Sequence, residues 1–124
     1  MAEKPVVWLV DNDHWPRAEL RALLIERGYD AVGIETLRDA VLRARLPGAV
    51  MPAVIVVDLA AQDAGEALLA ALFATRVAVI AIGGAVEWQQ ESARGRGWAA
   101  FLRRPITLGE IADAVARSLT PRGG

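Results

Sequence analysis

A chain of 124 residues with 14 basic and 15 acidic side chains carries a formal charge of -1, 54% hydrophobic residues and no cysteine. That length suits one domain able to bury roughly two-thirds of its unfolded surface, and the near-neutral balance offers no basic face for nucleic acid or an anionic membrane. Disulfide frameworks, thiolate zinc sites and cysteine nucleophiles are excluded, and no apolar run approaches a membrane span or a secretory signal, so a cytoplasmic protein is expected.

Val6–Val10 is the first continuous apolar run, short, Val-rich and bounded by Pro5 and Asp11, the pattern of a strand buried on both faces of a parallel sheet. The spacing then turns helical. Leu20, Leu23 and Leu24 share one face of a segment that opens near Pro16, suited to a first helical turn, and stops at Gly28. A weaker strand is expected over 31–34. Leu37, Ala40, Val41 and Ala44 mark a second helix that ends at Pro47-Gly48. Residues 53–57 (AVIVV) repeat the buried-strand pattern, Leu69, Leu72 and Phe73 mark a third helix, and 77–82 (VAVIAI) read as another buried strand. A fourth helix over 86–94 has only a thin apolar stripe, and a weaker strand follows over 99–102. Leu108, Ile111, Ala112, Val115 and Leu119 fall on one stripe, with Thr107 and Glu110 as its capping box. The domain is taken as 1–119, with 120–124 a flexible tail or the start of a linker.

Five strands alternating with five helices predict an α/β fold, a doubly wound parallel sheet with helices on both faces. Such sheets bind ligands at the carboxyl ends of their strands. The first strand runs into Asp11-Asn12-Asp13-His14 and the third into Asp58. Asp13 also fits an N-cap for the helix that follows. Two carboxylates brought together at one sheet edge repel unless a proton or a hard cation lies between them, and Mg²⁺, which takes one or two carboxylates plus water, meets that demand.

The segments VVWLVDND, AVIVVDLAAQDAGEALLAAL, VAVIAIGG and WAAFLRRPITLGEI, covering nearly the whole chain, resemble the receiver domain of bacterial two-component response regulators, the CheY-like family. The resemblance implies a flavodoxin-like three-layer sandwich with strand order 2-1-3-4-5. It also implies a signalling module, not an enzyme, that accepts a phosphoryl group from a histidine kinase and works through protein–protein contact. On that resemblance Asp58 is the phosphoacceptor. Asp11, Asp58 and the backbone carbonyl of Ala60 are the Mg²⁺ ligands, and Asn12 stands where the family has a second acid. With Asn12 neutral, only two carboxylates remain, so Mg²⁺ binding should be weak unless Asp13 swings in.

Four departures mark an atypical or degenerate member. Arg104 stands where the family has a lysine before the proline, and its planar fork suits bidentate contact more than a point contact. With thirteen arginines and one lysine, Lys4, in the chain, a coding bias accounts for Arg104 as well as a change of function does. Gly83 stands where the family has the threonine or serine of its switch and is followed by Gly84; the pair reads equally as a simple loop turn or as a double glycine whose backbone amides can approach an anion closely. Phe101 replaces a common tyrosine, and the loop Leu59-Ala-Ala-Gln-Asp-Ala-Gly65 lacks the usual proline.

His14 reads as a solvated residue beside the acids. Trp15, Trp88 and Trp98 read first as packing residues, although the region near Trp88, Trp98 and Phe101 is the candidate docking surface for a histidine kinase or other signalling protein. Two rivals remain. One is a haloacid dehalogenase-like phosphatase using Asp11 and Asp13, whose spacing fits that motif although no acid ends VAVIAIGG; the other is a metal-free interaction module.

Overall fold

Successive side chains of a strand point to opposite faces of the sheet, so a continuous apolar run demands a cover on each side. The computed structural model describes residues 3–60, 62 and 65–119. Its strands β1 (Val6–Val10), β2 (Asp30–Ile34), β3 (Val54–Asp58), β4 (Ala78–Gly83) and β5 (Ala100–Arg103) form one parallel sheet in the order β2-β1-β3-β4-β5. Between and after them run α1 (His14–Glu26), α2 (Leu37–Ala44), α3 (Glu66–Ala74), α4 (Ala85–Ser92) and α5 (Leu108–Leu119). This is the doubly wound sandwich that the alternation predicts.

The central strands supply both cores. Val7, Leu9, Val54, Val56, Ile80 and Ile82 face α1 and α5, where Leu20, Leu24, Ile111, Ala112 and Val115 meet them. Trp8, Val10, Ile55, Val57 and Val79 face the other way, onto Leu37, Ala40 and Val41 of α2 and Leu69 and Leu72 of α3. Helix α4 packs on β4 and β5, yet its one buried residue is Glu91. That is the structural counterpart of its thin apolar stripe.

The strand bounds move by one residue from the sequence expectation at the functional edge. Asp58 is the last residue of β3, not the first after it, because it stands in register with Ile82 and the Leu59 N–H continues the ladder to the Ile82 carbonyl at 2.8 Å. Gly83 likewise closes β4, opposite Arg103. Thr107 Oγ1 accepts the Glu110 N–H at 3.1 Å, giving α5 the cap its sequence predicts. The expected tail at 120–124 lies outside the described residues, and no helix among those described is long and apolar enough to cross a membrane.

Leu24 is fully buried in the α1–α5 core while Ile25 beside it is 42% exposed. Leu24→Ala should therefore cost about 2–5 kcal/mol, read as a lower urea midpoint, whereas Ile25→Ala should stay within about 0.5 kcal/mol of the parent.

Candidate functional site at the carboxyl edge of the sheet

The parallel register brings the ends of β1, β3, β4 and β5 to one edge, and with them Asp11, Asp58, Gly83 and Arg104. Asp58 is 9% exposed, the only buried acid in the sheet. Its Oδ1 accepts the Ala60 N–H at 3.0 Å and Arg104 Nη1–H at 3.2 Å, and its Oδ2 accepts Arg104 Nη2–H. Arg104 follows β5, two strands away from β3, and its N–H donates to the Gly83 carbonyl at 2.9 Å. Adjacent strands lie ~4.8 Å apart, so a side chain starting two strands away has to be long to reach Asp58. The guanidinium does reach, and it meets the carboxylate as a two-pronged fork.

Asp11 lies beside this pair, half-buried. Its Oδ1 accepts the Asp13 N–H at 2.9 Å, and its backbone carbonyl accepts Arg17 Nη1–H at 2.7 Å. Burial, together with the negative charges of Asp58 and Asp13, pushes the Asp11 carboxyl above its ordinary 3.8, against the opposing pull of the Asp13 hydrogen bond and Arg104. Asp13 occupies the N-cap position of α1 with an extended backbone, but its side chain makes no capping bond. Asn12 and Asp13 are both exposed. Of Ala60, it is the N–H that engages Asp58.

These donors do not fit a divalent cation while Arg104 holds Asp58. Three of the roughly four lone-pair positions of that carboxylate are taken, a guanidinium already supplies its counter-charge, and Asn12 is neutral. Among the described residues no three His, Cys, Asp or Glu side chains gather closely enough to hold a metal ion.

Gly83 is enclosed. A Cβ there would lie 2.9 Å from Glu87 Cβ, closer than side chains tolerate, and 3.1 Å from Phe101 Cζ, a contact that would require the ring to give way. Phe101 thus fills the space above Gly83, with Trp98 edge-on to it at 6.5 Å. Gly84 N–H donates to Glu87 Oε1 at 3.3 Å, so the glycine amide that the sequence left open for an anion is taken by the helix's own third residue. Glu87, with Asp58 and Asp11, also helps hold the charge on Arg104, whose pKa is raised first by its hydrogen bond to Asp58.

Several contributors have only a faint sequence signal. Gln62 Oε1 accepts the Leu37 N–H at 2.9 Å and its Nε2–H donates to the Glu35 carbonyl at 3.2 Å, tying the loop after β3 to the start of α2. Buried Glu91 accepts from Arg96 Nε at 2.6 Å and from Trp98 Nε1 at 3.2 Å, while Arg94 and Arg96 both clasp Glu66 at the start of α3. No motif announces these long-range pairs. Of the aromatic residues near the candidate docking surface, Trp88 is 42% exposed with Arg103 over its ring. Trp98 meets Phe73 edge-to-face at 4.8 Å and is only partly accessible. Trp15 is exposed, edge-on to His14.

No protein-family model matches the chain. No curated protein matches it either. Solved structures do. A response regulator receiver protein from Pseudomonas putida is 27% identical, with a TM-score of 0.76 over 94% of this chain and 99% of that one. The signal receiver domain of a modulated diguanylate cyclase from Desulfovibrio desulfuricans G20 is 24% identical, TM-score 0.74, over 94% of each chain. A response regulator receiver domain protein from Clostridium thermocellum is 15% identical, TM-score 0.74, over 93% and 94%. The sheet order, the five helices and these likenesses agree on a receiver-type fold.

The raised Asp11 pKa means that the fold favours protonated Asp11, a contribution fully present below the ordinary value of 3.8 and lost as pH rises through the higher folded value. Asp11→Asn, which keeps an oxygen for the Asp13 N–H, should raise the melting temperature at pH 7. Thermal scans should find that gain vanishing below the ordinary carboxylate value. Gly83→Ala should cost about 1–3 kcal/mol by overpacking against Glu87 and Phe101, visible as a lower denaturation midpoint.

Proposed function

We propose that this chain is a receiver-type domain of two-component signalling that acts through protein–protein contact, with Asp58 at the acceptor position and phosphoryl-driven switching lost. The observation that carries this reading is the packing above Gly83. A switch of this kind needs an element with two arrangements that the phosphoryl group biases. Here no hydroxyl is present, and Phe101 and Glu87 already fill the space that a hydroxyl-bearing side chain would need. In this reading the β4–β5 edge keeps one packing whatever charge Asp58 carries.

The same packing narrows the docking surface. Trp98 and Phe101 serve each other and Phe73, so the exposed side of α4, with Val86 and Trp88, is left as the face for a histidine kinase or another signalling protein. Mg²⁺ would be bound weakly at best in this reading, because the counter-charge of Asp58 is a side chain of the protein itself.

Treatment with acetyl phosphate and Mg²⁺, followed by intact mass, should leave most molecules without the ~80 Da gain of an aspartyl phosphate, and Asp58→Ala should abolish any such gain. The indole N–H resonance of Trp98 should not move. Stoichiometric modification with a shift of that resonance would restore a conventional phospho-switch. Turnover of a generic phosphate ester that disappears in Asp11→Asn would instead make the chain a haloacid dehalogenase-like hydrolase.

A further inference from the structure

We infer that Arg104 is a built-in lock on Asp58, a guanidinium fork that replaces the divalent cation as counter-charge and keeps the carboxylate from metal and from phosphoryl donors. The inference rests on the receiver reading above and deepens it by naming the residue that closes the site.

The geometry separates the fork from a mere positive charge. Nη1–H and Nη2–H engage the two oxygens of Asp58 separately, and the Ala60 N–H takes a further position on Oδ1. A carboxylate held in that plane has one lone-pair position left, on Oδ2. Acceptance of a phosphoryl group from an acyl phosphate requires a carboxylate oxygen to form the new O–P bond while the P–O bond to the acyl group breaks and the acyl carboxylate leaves with the electron pair. An oxygen whose charge is shared with a guanidinium is a poorer nucleophile, and a divalent cation brought to the same oxygens meets like charge.

The lock is also supported from behind. Arg104 is faced by Asp58, Asp11 and Glu87, all of which favour its charged form, and its backbone N–H is anchored on the Gly83 carbonyl. Lysine differs at this point. Its ammonium is a compact charge on a flexible stem that cannot span both oxygens in a fixed plane. If the fork is what closes the site, exchanging arginine for lysine should open it even though the charge is conserved.

The test compares the parent with Arg104→Lys and Arg104→Ala, each first checked by circular dichroism for a folded chain. Mg²⁺ binding is measured by calorimetric titration, and phosphoryl uptake from acetyl phosphate by intact mass. Both variants should bind Mg²⁺ at least about tenfold more tightly than the parent. Arg104→Lys should also be modified at Asp58 at a rate about tenfold or more above it. An Arg104→Lys protein indistinguishable from the parent in both measurements overturns the lock, because charge alone would then account for the closed site. Equal behaviour of all three proteins, whether all bind and react or none does, overturns it too. Neither outcome makes the chain anything other than a receiver-type domain, a reading that falls on the phosphate-ester turnover described above; a parent that is itself modified removes the loss of switching as well as the lock.

Discussion

The contact between Arg104 and Asp58 is the interaction on which the functional edge depends. A carboxylate at the end of a central strand is in an expensive place: it has lost most of its water, and the neighbouring Asp11 is also negative. Something must supply positive charge. In this chain a covalently attached guanidinium does so from two strands away, and its reach sets the arrangement around it. Burial, with the negative charges of Asp58 and Asp13, pushes the Asp11 carboxyl upward, and Glu87, which accepts the Gly84 N–H, adds to the negative field that keeps Arg104 charged. The three acids and one base therefore act as one electrostatic unit.

A second polar unit does for α4 what apolar burial does for the other helices. Helices α1, α2, α3 and α5 are held by Leu, Ile, Val and Ala stripes against the sheet. Helix α4 has almost no such stripe. It is instead pinned through Glu91, which is buried yet fully paired with Arg96 and the Trp98 indole, and through Arg94 and Arg96 to Glu66 on α3. Arginine serves this purpose better than lysine, since one planar group can bond two acceptors in fixed directions. Arg27 plays a related part on the opposite layer, reaching Asp113 at 2.7 Å to link α1 with α5. In the described contacts, the arginine-rich composition is thus a set of structural ties as well as a surface charge.

Much of the fold was legible because burial on both faces of a parallel sheet leaves continuous Val/Ile runs that no surface element needs. Val6–Val10 and the later runs named their strands within a residue, and the leucine spacing named the helices that pack on them. The site was legible in its membership but not in its contacts. Asp11, Asp58, Gly83 and Arg104 do converge, as strand ends in one register must. That Arg104 forks onto Asp58, that Asp13 leaves its cap unmade, and that Phe101 lies against Gly83 are outcomes of side-chain reach and packing over long sequence separations. Gln62, Glu66, Glu91 and Arg96 were missed for the same reason: each is an ordinary polar residue until its partner is known.

Local patterning alone therefore determined the layers of this protein, its strand and helix inventory, and the edge at which charged residues gather, because period and turn chemistry are properties of neighbouring residues. The lone lysine at Lys4 and the arginine at 104 already located the place where the chemistry departs from the resemblance. Only the tertiary structure decided what that arginine does. Whether a guanidinium points to solvent or closes on a carboxylate depends on where the fold brings the end of β5 relative to the end of β3, and that distance is set by a sheet assembled from the whole chain.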